Sequence, residues 1–257
     1  MKMKAINKWI KQSIVVALIF AAWQLATSAG VWSTFVLPTP RMVLDTFYTM
    51  VRSGELLDHI LISTWRVVVG FSISFVLAFL LGMLAGLRPS ATVYYDHILE
   101  FLRHIPPLAL IPMLILWFGI GETSRLIIIV LTMFFPVYLN VKNGFLSCDV
   151  KLLEVGEMFD FSKLQLFFRI MFPHALPNIL VGARVGLGFA WRALIGAEMI
   201  AAASGLGFMI WHARQMSHSA AVLVGILTIG MIGVLSDKAF SFVIKKVVKG
   251  GVDDSWS

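Results

Sequence analysis

The chain has 257 residues, 59% of them hydrophobic and only 14% charged, with a formal net charge of +7 and a mean hydropathy of +0.87. A soluble domain carries about a quarter of its residues as charges, so this chain lacks the polar surface to face water alone and is expected in a lipid bilayer. Its cations lie between apolar segments rather than in one basic stripe, which sets nucleic-acid binding aside, and the single Cys148 excludes an intramolecular disulfide and a cysteine metal cluster.

Apolar segments occupy 13–30, 60–87, 99–120, 124–144, 175–203 and 219–244. A helical crossing takes about 20 apolar residues, so the expected fold is an all-α integral membrane protein of about six transmembrane helices. The first segment follows Lys2, Lys4, Lys8 and Lys11 and ends in TSAG, a signal-peptide-like pattern. Cleavage there would put the long polar loop and the basic C-terminus on opposite sides of the bilayer, so an uncleaved first helix is expected. The third segment is interrupted by Pro106, Pro107 and Pro112 and reads as a kinked helix packed against protein, where neighbours satisfy the freed carbonyls. Lys and Arg accumulate on the cytoplasmic side. Arg88, Arg103, Lys142, Lys151, Lys163, Arg169, Lys245, Lys246 and Lys249 mark that side, against Arg41, Arg52, Arg125 and Arg214 on the other. Both termini and the loop from Asp149 to Pro177 are therefore expected in the cytoplasm.

That loop interrupts the apolar chain for about thirty residues, and loops so long without structure of their own are uncommon and usually functional. Asp149 is placed to cap a helix over Val150 to Phe159. Leu152, Leu153, Val155, Met158 and Phe159 supply its apolar residues, and Lys151, Glu154 and Glu157 its polar ones. Ser162 and Gln165 form a capping-box pair that opens a second helix over Lys163 to Met171, which must stop by Pro173. The residues alone leave two readings level: interfacial helices lying on the bilayer, or a rigid knob offered to a cytoplasmic partner.

The segment from Glu154 to Pro177 resembles the EAA loop of binding-protein-dependent ABC transporter permeases. There Glu-Ala-Ala is followed after three residues by Gly, after nine more by Ile and after two more by Pro. Glu154 matches the acid, Val155 and Gly156 replace the alanines, Asp160 replaces the glycine, and Ile170 and Pro173 match. Gly156 keeps a small residue, and Asp tolerates the left-handed backbone that a glycine permits. LPTP at 37–40, STWRVVVGF at 63–71, IPPLALIPMLILWFGIGET at 105–123, AEMIAAASGLGFMI at 197–210 and VGILTIGMIGVLSD at 224–237 resemble the nitrate, aliphatic sulfonate and taurine branch of that family. WQLATSAGVWSTFVLPTP and SGEL at 53–56 are most similar to its aliphatic sulfonate permeases.

The resemblance, from Trp23 to Lys245, implies a type I ABC importer transmembrane domain over 58–246 with a coupling loop at 149–173. A cytoplasmic N-terminus, first transmembrane helix and external connection occupy 1–57, and a cytoplasmic tail 247–257. It implies that the first loop helix docks into a cleft on a cytoplasmic ATPase, with Glu154, Val155, Gly156, Glu157 and Asp160 at the contact and the helix opened by Ser162 bracing it. The implied partners are two ATPase subunits, an external solute-binding protein, a second copy of this chain and the lipid of a bacterial inner membrane. The chain has no GxxxxGK[ST] phosphate loop, so ATP and Mg belong on the ATPase, and no cofactor, metal or catalytic residue is expected here.

Ionisable groups within membrane segments are functional candidates. Arg184, Arg192 and Glu198 in the fifth segment are candidates for a translocation path; the alternative is that they pair with neighbouring helices or snorkel to an interface. Arg66, Asp237 and Lys238 read as anchors or interhelical pairs. Gly182, Gly186 and Ala190, four residues apart, form a packing seam within or between subunits. Ser204 to Gly207 reads as an outer turn, which in the family faces the binding protein. The expected function is import of a small, sulfonate-, taurine- or nitrate-like solute through a pair of such chains. The alternative is a self-sufficient secondary transporter or channel, which calls for inverted repeats or denser buried titratable groups; neither is visible.

Overall fold

Every regular element among the described residues is helical. In this computed structural model the described residues are 2–30 and 32–247, with side chains described from Ile14 onward except at 201 and 247. The tail expected at 247–257 lies outside the described residues beyond Val247, as do the side chains of Lys2, Lys4, Lys8 and Lys11. α1 (Lys2–Ser28) connects to the short amphipathic α2 (Pro40–Arg52). Thr39 caps α2 by accepting the Met42 N–H at 3.2 Å, and Pro40 opens it where a missing N–H is harmless.

Four stretches are long and apolar enough to cross a membrane: Glu55–Leu87, Glu122–Leu146, Lys163–Ile200 and Ser219–Lys246. They correspond to α3 (Glu55–Leu87), α7 (Glu122–Leu146), α10 (Phe172–Ala201) with its N-terminal extension, and α12 (Ser219–Val247). The apolar part of α1, Ile14–Ser28, is a shorter helix. Between α3 and α7 run α4 (Pro89–Thr92), α5 (Asp96–His104), a 3-10 turn at Pro107–Leu110 and α6 (Ile111–Phe118).

The third expected crossing is broken rather than kinked. The arm Asp96–His104 meets the arm Pro107–Phe118 at 86°. A proline drives the residue before it out of the helical region. Here Pro106 acts on Ile105 and Pro107 acts on Pro106, leaving both extended at ψ 119° and 120°. Two consecutive extended residues turn the chain, where a single proline would only bend it. The second loop helix also departs from expectation, because it does not stop at Pro173. α9 (Lys163–Leu166) runs through a π-helical turn at Phe167–Met171 directly into α10. Pro173 falls in the first turn of α10, and the wider π turn before it absorbs the lost bond.

α7 is the central helix. Met133, Val137, Tyr138, Val141 and Phe145 on it are buried against Ala78 and Ala85 of α3 and Ala175 and Ile179 of α10. Alanines and glycines on the flanking helices set the close approach. A Cβ on Gly82 would lie 2.8 Å from Val141 Cβ and 2.9 Å from the Tyr138 carbonyl oxygen. α11 (Leu206–Gln215) packs Leu206, Met209 and Ala213 with Val43 and Met50 of α2 and Val224 of α12, forming a second core at one end. Gly82→Leu should therefore destabilise the fold by about 1–3 kcal/mol or more through overpacking. Gly230→Ala, whose added Cβ meets nothing within 4 Å, should leave it unchanged. Thermal unfolding of the two purified variants in detergent checks the contrast.

Candidate functional site

At one end of the bundle the loop forms a braced knob. Asp149 caps α8 (Val150–Met158) by accepting the Lys151 N–H at 3.0 Å. Asp160 then takes φ 55°, the left-handed conformation expected where the family has glycine. The Ser162–Gln165 capping box is complete, with the Ser162 N–H donating to Gln165 Oε1 at 2.8 Å and the Gln165 N–H to Ser162 Oγ at 3.3 Å. Arg169 lies 5.1 Å from the Phe161 ring centre. The expected contact residues divide at this point. Glu154, Val155, Glu157 and Asp160 are exposed, as are Met158 at 84% and Phe159 at 72%. Gly156 is buried instead, and a Cβ there would sit 2.5 Å from Leu166 and 2.7 Å from Ile170. Its smallness lets α8 lie against its own brace and does not line the free face. Cys148 beside the knob is buried, and burial followed by the Asp149 charge pushes its thiol pKa up; it is an inert filler.

At the opposite end lies a buried polar cluster. Arg66 of α3 is 1% exposed and Glu198 of α10 fully buried. Arg66 Nη1 donates to Glu198 Oε1 at 2.6 Å and to the Ser204 carbonyl at 2.8 Å. Its Nε and Nη2 donate to the two oxygens of Glu122 at 2.8 and 2.6 Å. Glu198 also accepts from Ser63 Oγ and the Gly207 N–H, each at 2.9 Å. Ser63 in turn accepts the Leu206 N–H at 2.9 Å, and His59 Nδ1 accepts that of Gly205 at 3.0 Å. Arg125 Nη1 donates to Glu122 at 2.6 Å. The cluster ties α3, α7 and α10 to the turn at Ser204–Gly207. Gly205 has φ 108°, and a Cβ on it would run into the Glu198 carboxylate. Glu198, which sequence leaves as either a path candidate or an interhelical partner, is the latter, sealed inside an interhelical ion pair. Sequence leaves Arg66 as either an anchor or half of such a pair; its partners lie 56 and 132 positions away along the chain and carry no local signal.

α10 presents different faces to different neighbours. The seam of Gly182, Gly186 and Ala190 lies within the subunit. Gly182 faces Asn140 and Gly186 faces Met133 and Val137 of α7, while Ala190 packs with Val67 and Ile129. Another face borders a cavity of about 480 Å³ shared with α12, lined by Leu187, Gly188, Trp191, Ile195, Ile229 and Gly233. Arg184 and Arg192 also line it, two helical turns apart. Arg184 Nε and Nη2 donate to the two oxygens of Asp237 at 2.6 and 2.7 Å, which is the interhelical pairing weighed from sequence. Arg192 is exposed and lies 5.6 Å from the Phe189 ring centre, with no carboxylate partner among the described residues. Buried Trp191 Nε1 has no acceptor among them either.

The family model described as "Binding-protein-dependent transport system inner membrane component" matches residues 78–249. An aliphatic sulfonates transport permease protein of Bacillus subtilis (strain 168) is 41% identical over 241 residues, covering 94% of this chain and 87% of the relative. The taurine transport system permease protein of Escherichia coli (strain K12) is 33% identical over 224 residues, covering 85% and 82%. In fold, a chain of the MetNI methionine ABC transporter, solved in inward facing conformations, superposes with a TM-score of 0.62 at 17% identity, covering 76% of this chain and 98% of that one.

Removing one partner of a buried ion pair strands the other charge, at about 3–5 kcal/mol. Glu198→Ala should therefore lower the detergent unfolding midpoint well below that of Glu154→Ala, which alters an exposed residue and should cost no more than about 0.5 kcal/mol.

Proposed function

The chain belongs to the family of binding-protein-dependent transport system inner membrane components, and from that premise we propose that it is the permease subunit of an ATP-driven importer for a small sulfonate-, taurine- or nitrate-like solute. Its fold is the type I ABC importer transmembrane domain, and it is a multi-pass inner-membrane protein. Two copies pair around the translocation path, and an external binding protein delivers the solute. Two cytoplasmic ATPase subunits bind the ATP and Mg; this chain supplies no catalytic group. Both termini and the knob face the cytoplasm, and the Ser204–Gly207 turn faces outward. The sulfonate end of the solute range is favoured by the 41% identity to an aliphatic sulfonates permease.

The observation that carries this reading is the free face of α8. Val155, Met158 and Phe159 are exposed at 49%, 84% and 72%, on a helix capped at Asp149 and braced through Gly156. Such an apolar tip is a poor surface for water and fits a hydrophobic cleft on a partner. Glu154 and Glu157 flank it as acidic contacts, Asp160 closes the turn and Ser162 anchors the brace. Because the brace continues without interruption into α10, closure of the ATPase pair pulls on a rod that reaches the middle of the bundle. Arg184 and Arg192 lie along that rod as the translocation-path candidates.

Losing a buried aromatic anchor at an interface costs about 2 kcal/mol or more, roughly thirtyfold in affinity. Met158→Arg and Phe159→Arg, both on the exposed face, should leave the chain inserted and folded while cutting ATPase co-purification by at least that factor and abolishing uptake. Undiminished co-purification and uptake in both variants would remove the docking assignment.

A further inference from the structure

The α10–α12 cavity has a chemistry of its own. At about 480 Å³ it is the size of a small-molecule site, and it lies near the middle of both helices. Its walls are mostly apolar, supplied by Leu187, Trp191, Ile195 and Ile229 with Ser236 the one uncharged polar side chain, and its charge is uneven. The one carboxylate in it, Asp237, has both oxygens engaged by Arg184. Arg192 has no such partner among the described residues and only the face of Phe189 beside it. One guanidinium therefore stands beside a largely apolar hollow, with no free carboxylate among the described lining residues. Gly188 and Gly233 hold the hollow open, since a Cβ added to either meets nothing within 4 Å.

We propose that this cavity is a permease-borne subsite for an amphiphilic organic anion, with Arg192 binding the oxyanion head and the Leu187, Trp191 and Ile229 walls binding its aliphatic part. The inference deepens the importer reading above and rests on it. A guanidinium offers an oxyanion two parallel N–H donors. Each CH2 buried against the walls strengthens binding about fourfold. A bare inorganic oxyanion gains nothing from those walls. A zwitterion is disfavoured, because its ammonium finds Asp237 already occupied and is repelled by Arg192. The subsite thus discriminates among solutes that share one head group, independently of the binding protein.

The test uses the complete permease–ATPase complex in nanodiscs, without binding protein, and measures saturable binding of radiolabelled 1-butanesulfonate by equilibrium dialysis. Expected is saturable binding to the wild type, with 1-butanesulfonate displaced by ethanesulfonate at least tenfold better than by taurine. Arg192→Gln should weaken binding about tenfold or more, and Arg192→Lys, which keeps the charge but not the two parallel donors, should restore only part of the loss. Gly188→Leu and Gly233→Leu should abolish binding by filling the hollow, while the complex stays assembled by size exclusion. Absence of saturable binding to the wild type, or binding unchanged in Arg192→Gln and both glycine variants, overturns the subsite. So does disassembly of both glycine variants, which would make the hollow an interface between two copies. Equal displacement by taurine and ethanesulfonate overturns the assignment of an aliphatic anion. Binding-protein-dependent, ATP-driven uptake of butanesulfonate, measured in parallel, separates the two levels. If uptake persists while the subsite fails, the importer stands; if the ATPase never associates, the importer reading itself fails.

Discussion

The buried guanidinium of Arg66 is the constraint on which the arrangement of the long helices depends. A cation at 1% exposure within an apolar bundle is tolerated only if carboxylates and carbonyls reach it, because an uncompensated charge there costs several kcal/mol. Glu122 must come from the start of α7, Glu198 from the end of α10, and the Ser204 carbonyl from the turn beyond it. Satisfying one residue therefore fixes where three helices begin or end and what conformation the turn adopts. The same demand explains Gly205 and Gly207, which lie against the Glu198 side chain where any Cβ would intrude.

From that fixed point the molecule is organised along one rod. The helical stretch Lys163–Ile200 carries the brace of the knob at one end, the arginine-lined cavity in its middle and Glu198 near the other. Its packing face of Gly182, Gly186 and Ala190 lies against α7 and α3. The π turn at Phe167–Met171 lies along it between the knob and the bundle, and Pro177 inside α10 removes one further backbone donor.

Much of this was legible in the sequence because it is local. Asp149, Asp160, Ser162 and Gln165 act within three residues of themselves, so the two loop helices and the left-handed turn between them follow from residue chemistry. Apolar run length likewise located the long helices. The departures have different causes. Pro173 reads as a stop, yet a π turn admits a proline without ending the helix. The third crossing reads as kinked, yet two adjacent prolines place two residues in extended conformation and turn the chain through 86°. Gly156 reads as a contact residue and Glu198 as a path candidate or an interhelical partner, because sequence gives a residue's type and not its facing. Only packing shows that Gly156 lies under its own brace, and that Glu198 is consumed by an arginine 132 positions away. The outcome for the two path arginines could not be read from spacing, since it turns on Asp237 reaching Arg184 and not Arg192.

A permease that draws its energy from a partner ATPase and one that works alone differ in what drives accumulation. The most direct measurement is uptake of radiolabelled 1-butanesulfonate into proteoliposomes holding the purified permease, with ATPase subunits, binding protein, ATP and ion gradients supplied separately. Expected is accumulation against the solute gradient only when ATP, the ATPase and the binding protein are all present, and none under a proton or sodium gradient alone. Accumulation by the permease alone under an ion gradient, indifferent to ATP, would contradict the importer account and establish a secondary carrier.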